Sequence, residues 1–390
     1  MSVLIVVKLP TSAVLASLHW SFAVDELIRL ARDLVRIDSR SFVSNIAVAE
    51  RIEAELGGFE IEQIDYVDAG GVAKRALVAK RGEGGLAFSG HMDTVPDTGW
   101  TTDPWSGRIE DGVMYGLGTA DMKGPVAACI VAARSLPSDV PVCLLITTDE
   151  ETTKQGARAI VERSRLARAA RLSGIVVAEP TRLIPVRGHR AHVAFTATSI
   201  GVQAHSATGL GRNANWALVE FLAEMKAIYE RLRSDPAMQD TAYDPVFSDF
   251  NVVIDNHGAA INVTVPKATV RIKYRYSARM DSNVVVTAVR EAAARAGLAL
   301  EEAREGSPPE LAAEHPLIVQ AVALSGQAAR TAPYGTDASV LQELAPCVVF
   351  GPGDIADAHK PTEKLVLADL AEGVEVFRRM AMAAVGAAVG

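Results

Sequence analysis

The chain has 390 residues, of which 49% are hydrophobic and 22% charged, and a formal net charge of −8 at pH 7. That length favours two domains over a single core, and the composition excludes a disordered or fibrous chain. The acidic balance, with no Lys/Arg-rich run and no aromatic-basic stripe, argues against nucleic acid as a partner.

The first stretch, MSVLIVVKLPTSAVLASLHWSFA, is apolar like the middle of a signal peptide, and Ala23 could mimic a cleavage site. No positive charge precedes Lys8, however, and Pro10 interrupts the run. It is also too short and broken for a membrane span, so a cytoplasmic protein with an irregular extension is expected. Cys129, Cys143 and Cys347 sit in apolar runs and form no CxxC pair, as small core residues of a reducing compartment do.

From Val24, VDELIRLARDLVRI repeats apolar residues at helical spacing, and a second helix is expected over 44–56. Strands follow at 60–65, 75–79, 86–89 and 112–115. The turn GLGTADMKG precedes a small-residue helix, PVAACIVAARSL. PVCLLIT is the next strand, then a helix over 156–170, then the strand GIVVA. This alternation predicts an α/β fold with a mainly parallel sheet and helices on both faces. After residue 185 the pattern changes. HVAFTATSI, FNVVID and ATVRIKYRYS alternate polar and apolar residues, and amphipathic helices lie between and after them. An α+β domain at 186–297 is therefore expected, inserted into a catalytic domain formed by 1–185 and 298–390.

Four acidic or histidine motifs follow buried apolar runs. LAFSG leads to His91-Met-Asp93, VCLLITT to Asp149-Glu150-Glu151, GIVVA to Glu179, and CVVFGPG to the stretch that ends at His359. Ligands gather at the carboxyl ends of parallel strands, so these residues can converge although far apart in sequence. Asp121, in the glycine-rich turn, joins them as a fifth candidate ligand. Nitrogen and carboxylate donors without thiolate suit a hydrolytic Zn, Co or Mn site. Asp93, two residues after His91, could orient its ring. Of the neighbouring carboxylates Glu150 and Glu151, one binding metal would relieve their repulsion and leave the other free as general base towards a metal-activated water. Each motif alone has a plainer reading: a structural His–Asp pair in a loop, a helix N-cap at Asp121, a solvated acidic loop at 149–151.

Together, GHMDTVP, GLGTADMKG, TTDEET, VAEPT and GPGDIADAHKP resemble the motifs of the dinuclear zinc-dependent deacylases and exopeptidases, in the family's order and over most of the chain from about residue 24. The group includes acetylornithine deacetylase, succinyl-diaminopimelate desuccinylase, aminoacylase and carboxypeptidase G. The resemblance implies two divalent ions, zinc foremost and cobalt or manganese as alternatives. His91, Asp121 and Glu179 would hold one, and Asp121, Glu151 and His359 the other. It further implies Glu150 as base and proton shuttle, Asp93 as orienting carboxylate, and a homodimer whose inserted domain is both lid and dimer surface.

In VQAHSATGLGRNA, His205 would polarise the scissile carbonyl of a neighbouring site. Asn262, Arg275, Thr336 and Gly353 match substrate-contacting positions, with Arg275 suited to a carboxylate. Two departures fall near the substrate cleft: the family's proline in the HSxxP segment is missing, and Lys273 stands where an acid is usual. YGLGTADMKG and EPTRLIPVRGHRAHV look most like acetylornithine deacetylase, so deacetylation of an N-acetyl-L-amino acid is the leading expectation. Desuccinylation of succinyl-diaminopimelate and hydrolysis of dipeptides or C-terminal glutamate are the alternatives within the family. A silent metal- or ligand-binding protein on this scaffold is the alternative outside it.

Overall fold

Leu27, Leu30, Ala31, Leu34 and Val35 fall on one face of α1 (24–35) and are all buried, which is why this segment is helical and where it docks. The chain is described here as a computed structural model covering residues 24–386, so the apolar N-terminal run lies outside the described residues. Helix α2 (Ile46–Glu53) buries Val48, Ala49 and Ile52 in the same way.

The chain divides into two compact units. The first runs to Pro185 and takes in Ala313–Ala329 and everything from Leu341; the second comprises Val186–Ala312 and Arg330–Val340. In the first, β1 (Glu60–Val67), β2 (Ala73–Arg81) and β3 (Leu86–His91) are followed by the short β4 (Arg108–Glu110) and β5 (Val113–Tyr115), then α3 (Lys123–Ser135) and β6 (Val142–Thr147). Helices α4 (Gln155–Arg163) and α5 (Arg165–Ala169) lead to β7 (Gly174–Val177). Strands β6, β3, β7 and β14 (Cys347–Val349) pair in parallel, while β2 joins β6 and β1 joins β2 antiparallel at the edge. Every residue of β3, β6 and β7 is buried, which accounts for their unbroken apolar runs: both faces are covered. Helix α3 is buried from Lys123 to Ala133. Its small residues let it pack closely against β3 and against α10 (Leu367–Gly386). All three cysteines are free and buried.

The second unit holds the parallel pair of β8 (Val186–His189) and β13 (Arg330–Ala332), and an antiparallel sheet in the order β10-β11-β9-β12. These strands are β9 (Ala191–Ile200), β10 (Asp249–Asp255), β11 (Lys267–Tyr276) and β12 (Ala299–Arg304). Helices α6 (Asn215–Ser234) and α7 (Ser282–Arg295) supply Leu218, Phe221, Val286 and Val289 to one core with Phe195, Ile272 and Tyr274. The remaining elements are α8 (Pro316–Ser325), α9 (Ala338–Leu341) and β15 (Lys364–Val366), the last pairing with β5.

Two local details differ from the sequence expectation. The helix expected over 156–170 is two helices, because Ser164 is extended and its hydroxyl caps α5 by accepting from Ala167 N. Strand β12, beyond residue 297, was not expected, since its Glu- and Arg-rich sequence hides an alternation that only pairing with β9 reveals.

Candidate metal centre

His91 closes β3, and the register of the parallel strands sets it beside Thr147, the last residue of β6. The acidic turn 149–151 and Glu179, two residues past β7, therefore emerge at the same edge. Asp121 reaches it from the turn before α3, and His359 from the loop after β14. Asp121 sits between the two histidines: Oδ1 lies 3.1 Å from His91 Nε2 and Oδ2 lies 3.2 Å from His359 Nε2. Glu151 Oε1 is 3.0 Å from the same His359 nitrogen. Ligand atoms of His91, Asp121 and Glu179 lie within 4.8 Å of one another, as do those of Asp121, Glu151 and His359. The structure thus brings all five sequence candidates together as two triads that share one carboxylate.

The groups around this centre fix its orientation. His91 Nδ1–H donates to the Asp93 backbone carbonyl at 2.9 Å, and this leaves Nε2 free to face Asp121. The Asp93 carboxylate is farther from the ring, at 3.6 Å, and has another task. It accepts from Ser41 Oγ at 2.8 Å and from the backbone N–H groups of Glu150 and Glu151 at 3.2 and 3.3 Å. Asp93 therefore steers the acidic turn with its side chain and the histidine with its main chain. Glu150 meets Lys154 Nζ at 2.9 Å, both side chains being nearly buried.

Sequence reasoning overlooked three further supports. Asp149, at φ +60°, is held by buried Lys74 (2.9 Å) and by the Tyr66 hydroxyl (2.7 Å), which anchors the turn from β1 and β2. Glu363 accepts from Ala120 N and Asp121 N at 2.9 and 3.0 Å and so clamps the turn that bears the shared carboxylate. Lys154 is the third, and its i,i+4 spacing from Glu150 was the one signal visible in the sequence.

The electrostatics describe a site with too much buried negative charge. Burial pushes Glu151 up to about 7, aided by the Asp121 charge, and pushes Glu179 well above the carboxylate range. Hydrogen bonds to Asp121 and Glu151 raise His359 to about 11. Burial opposes the charged form of His91, but Asp121, Asp93 and Glu179 overcome it and raise it well above its ordinary value. Burial likewise opposes ionised Asp121, yet the two histidines hold it below the usual carboxylate range. Protons here do what divalent cations would do better. Five nitrogen and oxygen donors in two triads with a common carboxylate are a fitting donor set for two such ions.

Of the other sequence candidates, His205, Asn262, Arg275 and Thr336 belong to the second unit and Gly353 to the first. His205 and Asn262 are exposed neighbours in the second unit, joined by Ser206 N donating to the Asn262 carbonyl and by a bridge from His205 to Val263. Arg275 pairs with Asp249 at 2.5 Å across β10 and β11. The Thr336 hydroxyl is buried 2.9 Å from His189 Nε2. Gly353, in the first unit, has φ +90° and is approached by Pro180 and Leu365, so a side chain there would be strained.

Comparison with known proteins matches residues 87–383 to the family described as peptidase family M20/M25/M40. An acetylornithine deacetylase of Myxococcus xanthus is 31% identical over 366 residues, covering 89% of this chain and 94% of that protein. An M20 family metallo-carboxypeptidase from Sulfolobus solfataricus superposes with a TM-score of 0.71 at 15% identity, over 91% of this chain and 98% of the other. A dinuclear metal-binding peptidase of the M20 family from Bacillus subtilis gives 0.61 at 16% identity, over 93% and 98%.

Proposed function

The chain belongs to peptidase family M20/M25/M40 and hydrolyses amide bonds, and from that premise we propose that it removes the acyl group, acetyl foremost, from an N-acyl-L-amino acid such as N-acetylornithine. The observation that carries the reading is Asp121 shared by two donor triads at the carboxyl edge of the sheet, with Glu150 beside them. His91, Asp121 and Glu179 would hold one divalent ion and Asp121, Glu151 and His359 the other, with zinc favoured by the donor set. When bound there, such ions would supply polarisation of the amide carbonyl and a lowered pKa for the attacking water.

The remaining work falls to side chains. Glu150 takes a proton from the water at a carboxylate oxygen and returns it to the departing amide nitrogen, which leaves as an amine. Lys154 holds that carboxylate apart from Glu151, and Asp93 fixes the turn beneath both through their backbone N–H groups. His205 of one subunit donates to the carbonyl oxygen at the neighbouring subunit's centre as negative charge develops there. Asn262, Arg275, Thr336 and Gly353 bind the substrate, with Arg275 facing its carboxylate. Support for these roles comes from the motif resemblance and from the relative's name. A homodimer in the cytoplasm completes the proposal, and no described helix is long and apolar enough to cross a membrane.

The test is amine release by zinc- or cobalt-loaded protein on N-acetyl-ornithine, -citrulline and -lysine, N-succinyl-diaminopimelate and a set of dipeptides. Preference for one acetylated amino acid, abolished by chelator, is the expected result. Activity confined to succinylated or peptide substrates would overturn the acyl assignment and keep the centre. No turnover with two ions bound would overturn the enzyme reading itself.

A further inference from the structure

A cavity of about 660 Å³ opens beside the acidic turn of the first unit, and Glu151, a proposed ligand, forms part of its inner wall. Its outer wall is the β1–β2 hairpin turn with the loops that follow α1 and β3. Phe42, Val67, Val72, Val95 and Pro96 line it, and apolar atoms dominate its surface. Phe42 and Val67 are large apolar side chains left 53% and 67% exposed at this cavity. Single exposed apolar residues need no explanation, but two around one cleft next to a reactive centre mark a binding surface.

The charges narrow the ligand. The residues lining the cavity include Asp68, Asp149 and Glu151 and no Lys, Arg or His. Two cations lie close by and both are spent: Lys74 is fully buried on Asp149 and on the carbonyls of Ser41 and Val43, and Arg40, whose guanidinium stacks 4.8 Å from the Phe42 ring centre, pairs with Asp38 and Asp97. Asp68 is occupied in turn, accepting from Gly70 N and Val72 N at 2.8 and 2.9 Å, which also fixes the shape of the hairpin turn. A carboxylate would enter beside acids with no partner. A hydrocarbon chain would replace water on apolar walls. An acetyl methyl group, about the size of one water molecule at ~30 Å³, fills almost none of this space.

We propose that this cavity is a subsite for an uncharged apolar chain of the substrate, well beyond acetyl in length, bound as its amide lies at the adjacent centre. The inference rests on the amide-hydrolase reading of that centre and narrows its substrate from N-acetylornithine, whose acyl group is too short and whose side chain is charged, to an N-acyl amino acid with one long apolar chain. Such a chain can belong to the acyl group or to the amino-acid side chain, and the two sources are separated by experiment. Succinyl or other dicarboxylic acyl groups, which would carry their charge into an acidic cavity, are excluded from it.

The test uses the metal-loaded full-length protein and two substrate series. One holds alanine fixed and lengthens the acyl group from acetyl through butanoyl and hexanoyl to octanoyl. The other holds acetyl fixed and lengthens the side chain from alanine through norvaline and norleucine to phenylalanine. In one series kcat/KM is expected to rise about threefold to fourfold per buried methylene until the cavity is filled, and the series that rises names the group. Ala69→Trp and Val67→Trp, at exposed positions of the cavity wall, should each flatten that slope without loss of bound metal. Flat dependence in both series, with the acetyl substrate hydrolysed, overturns the subsite alone. An undiminished slope in both variants does the same. Hydrolysis of no N-acyl amino acid overturns the proposed function, and the subsite with it.

Discussion

Glu150 and Glu151 are consecutive residues whose carboxylates face different partners, Lys154 in one case and His359 in the other. Their backbone N–H groups share the Asp93 carboxylate, so the divergence belongs to a fixed turn and survives a change of side chain. Replacing Glu150 by Gln keeps the size and removes the proton acceptor. The expected outcome is a fall in kcat of about 10²–10⁴-fold or more with bound metal unchanged, measured by steady-state kinetics and metal analysis on one preparation. Wild-type turnover would remove Glu150 from the mechanism. Asp121→Asn should instead abolish both metal content and activity, because the residue serves both triads. The five residues that gather at the centre were legible because each follows a strand-like run or a glycine-rich turn. Their supports were not. Lys74 meets Asp149 and Glu363 meets Asp121 across long stretches of chain, and no local pattern announces such pairs.

At the level of elements, α4 matters because it starts against the acidic turn. Gly156, in its first turn, is so close to Thr148 that an added Cβ would lie 2.4 Å from the Thr148 carbonyl oxygen and 2.5 Å from its nitrogen. Both are backbone atoms and cannot swing aside. A glycine in a helix ordinarily costs about 0.5–1 kcal/mol relative to alanine, so Gly→Ala would usually stabilise. Here the sign should reverse: Gly156→Ala is expected to destabilise by about 1–3 kcal/mol in denaturant unfolding and to weaken metal retention, as the turn 149–151 is pushed out of place. Greater stability would show that α4 can recede without cost. The main strands and helices were readable from period, since β3, β6 and β7 are mostly apolar and buried throughout and β9 and β11 alternate. The break at Ser164 escaped because its helix-like flanks hide a cap that also bonds Glu62, a hundred residues earlier.

For the molecule as a whole, the centre links metal, protons and stability. Glu151 at about 7 and His359 at about 11 both lie above their ordinary values, as do Glu179 and His91, so the metal-free folded state holds protons that the unfolded chain releases. Where the native state binds more protons than the unfolded one, stability falls as pH rises. Glu151 contributes that fall from the ordinary carboxylate range up to about 7, and His359 from the ordinary imidazole range up to about 11. Asp121 is lowered and acts in the opposite sense, but only at more acidic pH. Metal-free protein should therefore melt at progressively lower temperature from pH 5 to pH 8. Divalent ions displace those same protons, so their affinity rises over this interval and the loaded protein gains what the free protein loses. Scanning calorimetry of chelated and zinc-loaded samples at each pH should show the gap in Tm widening with pH. A gap that is constant, or that narrows, would mean that the carboxylates and histidines gathered around Asp121 are not what the metal binds.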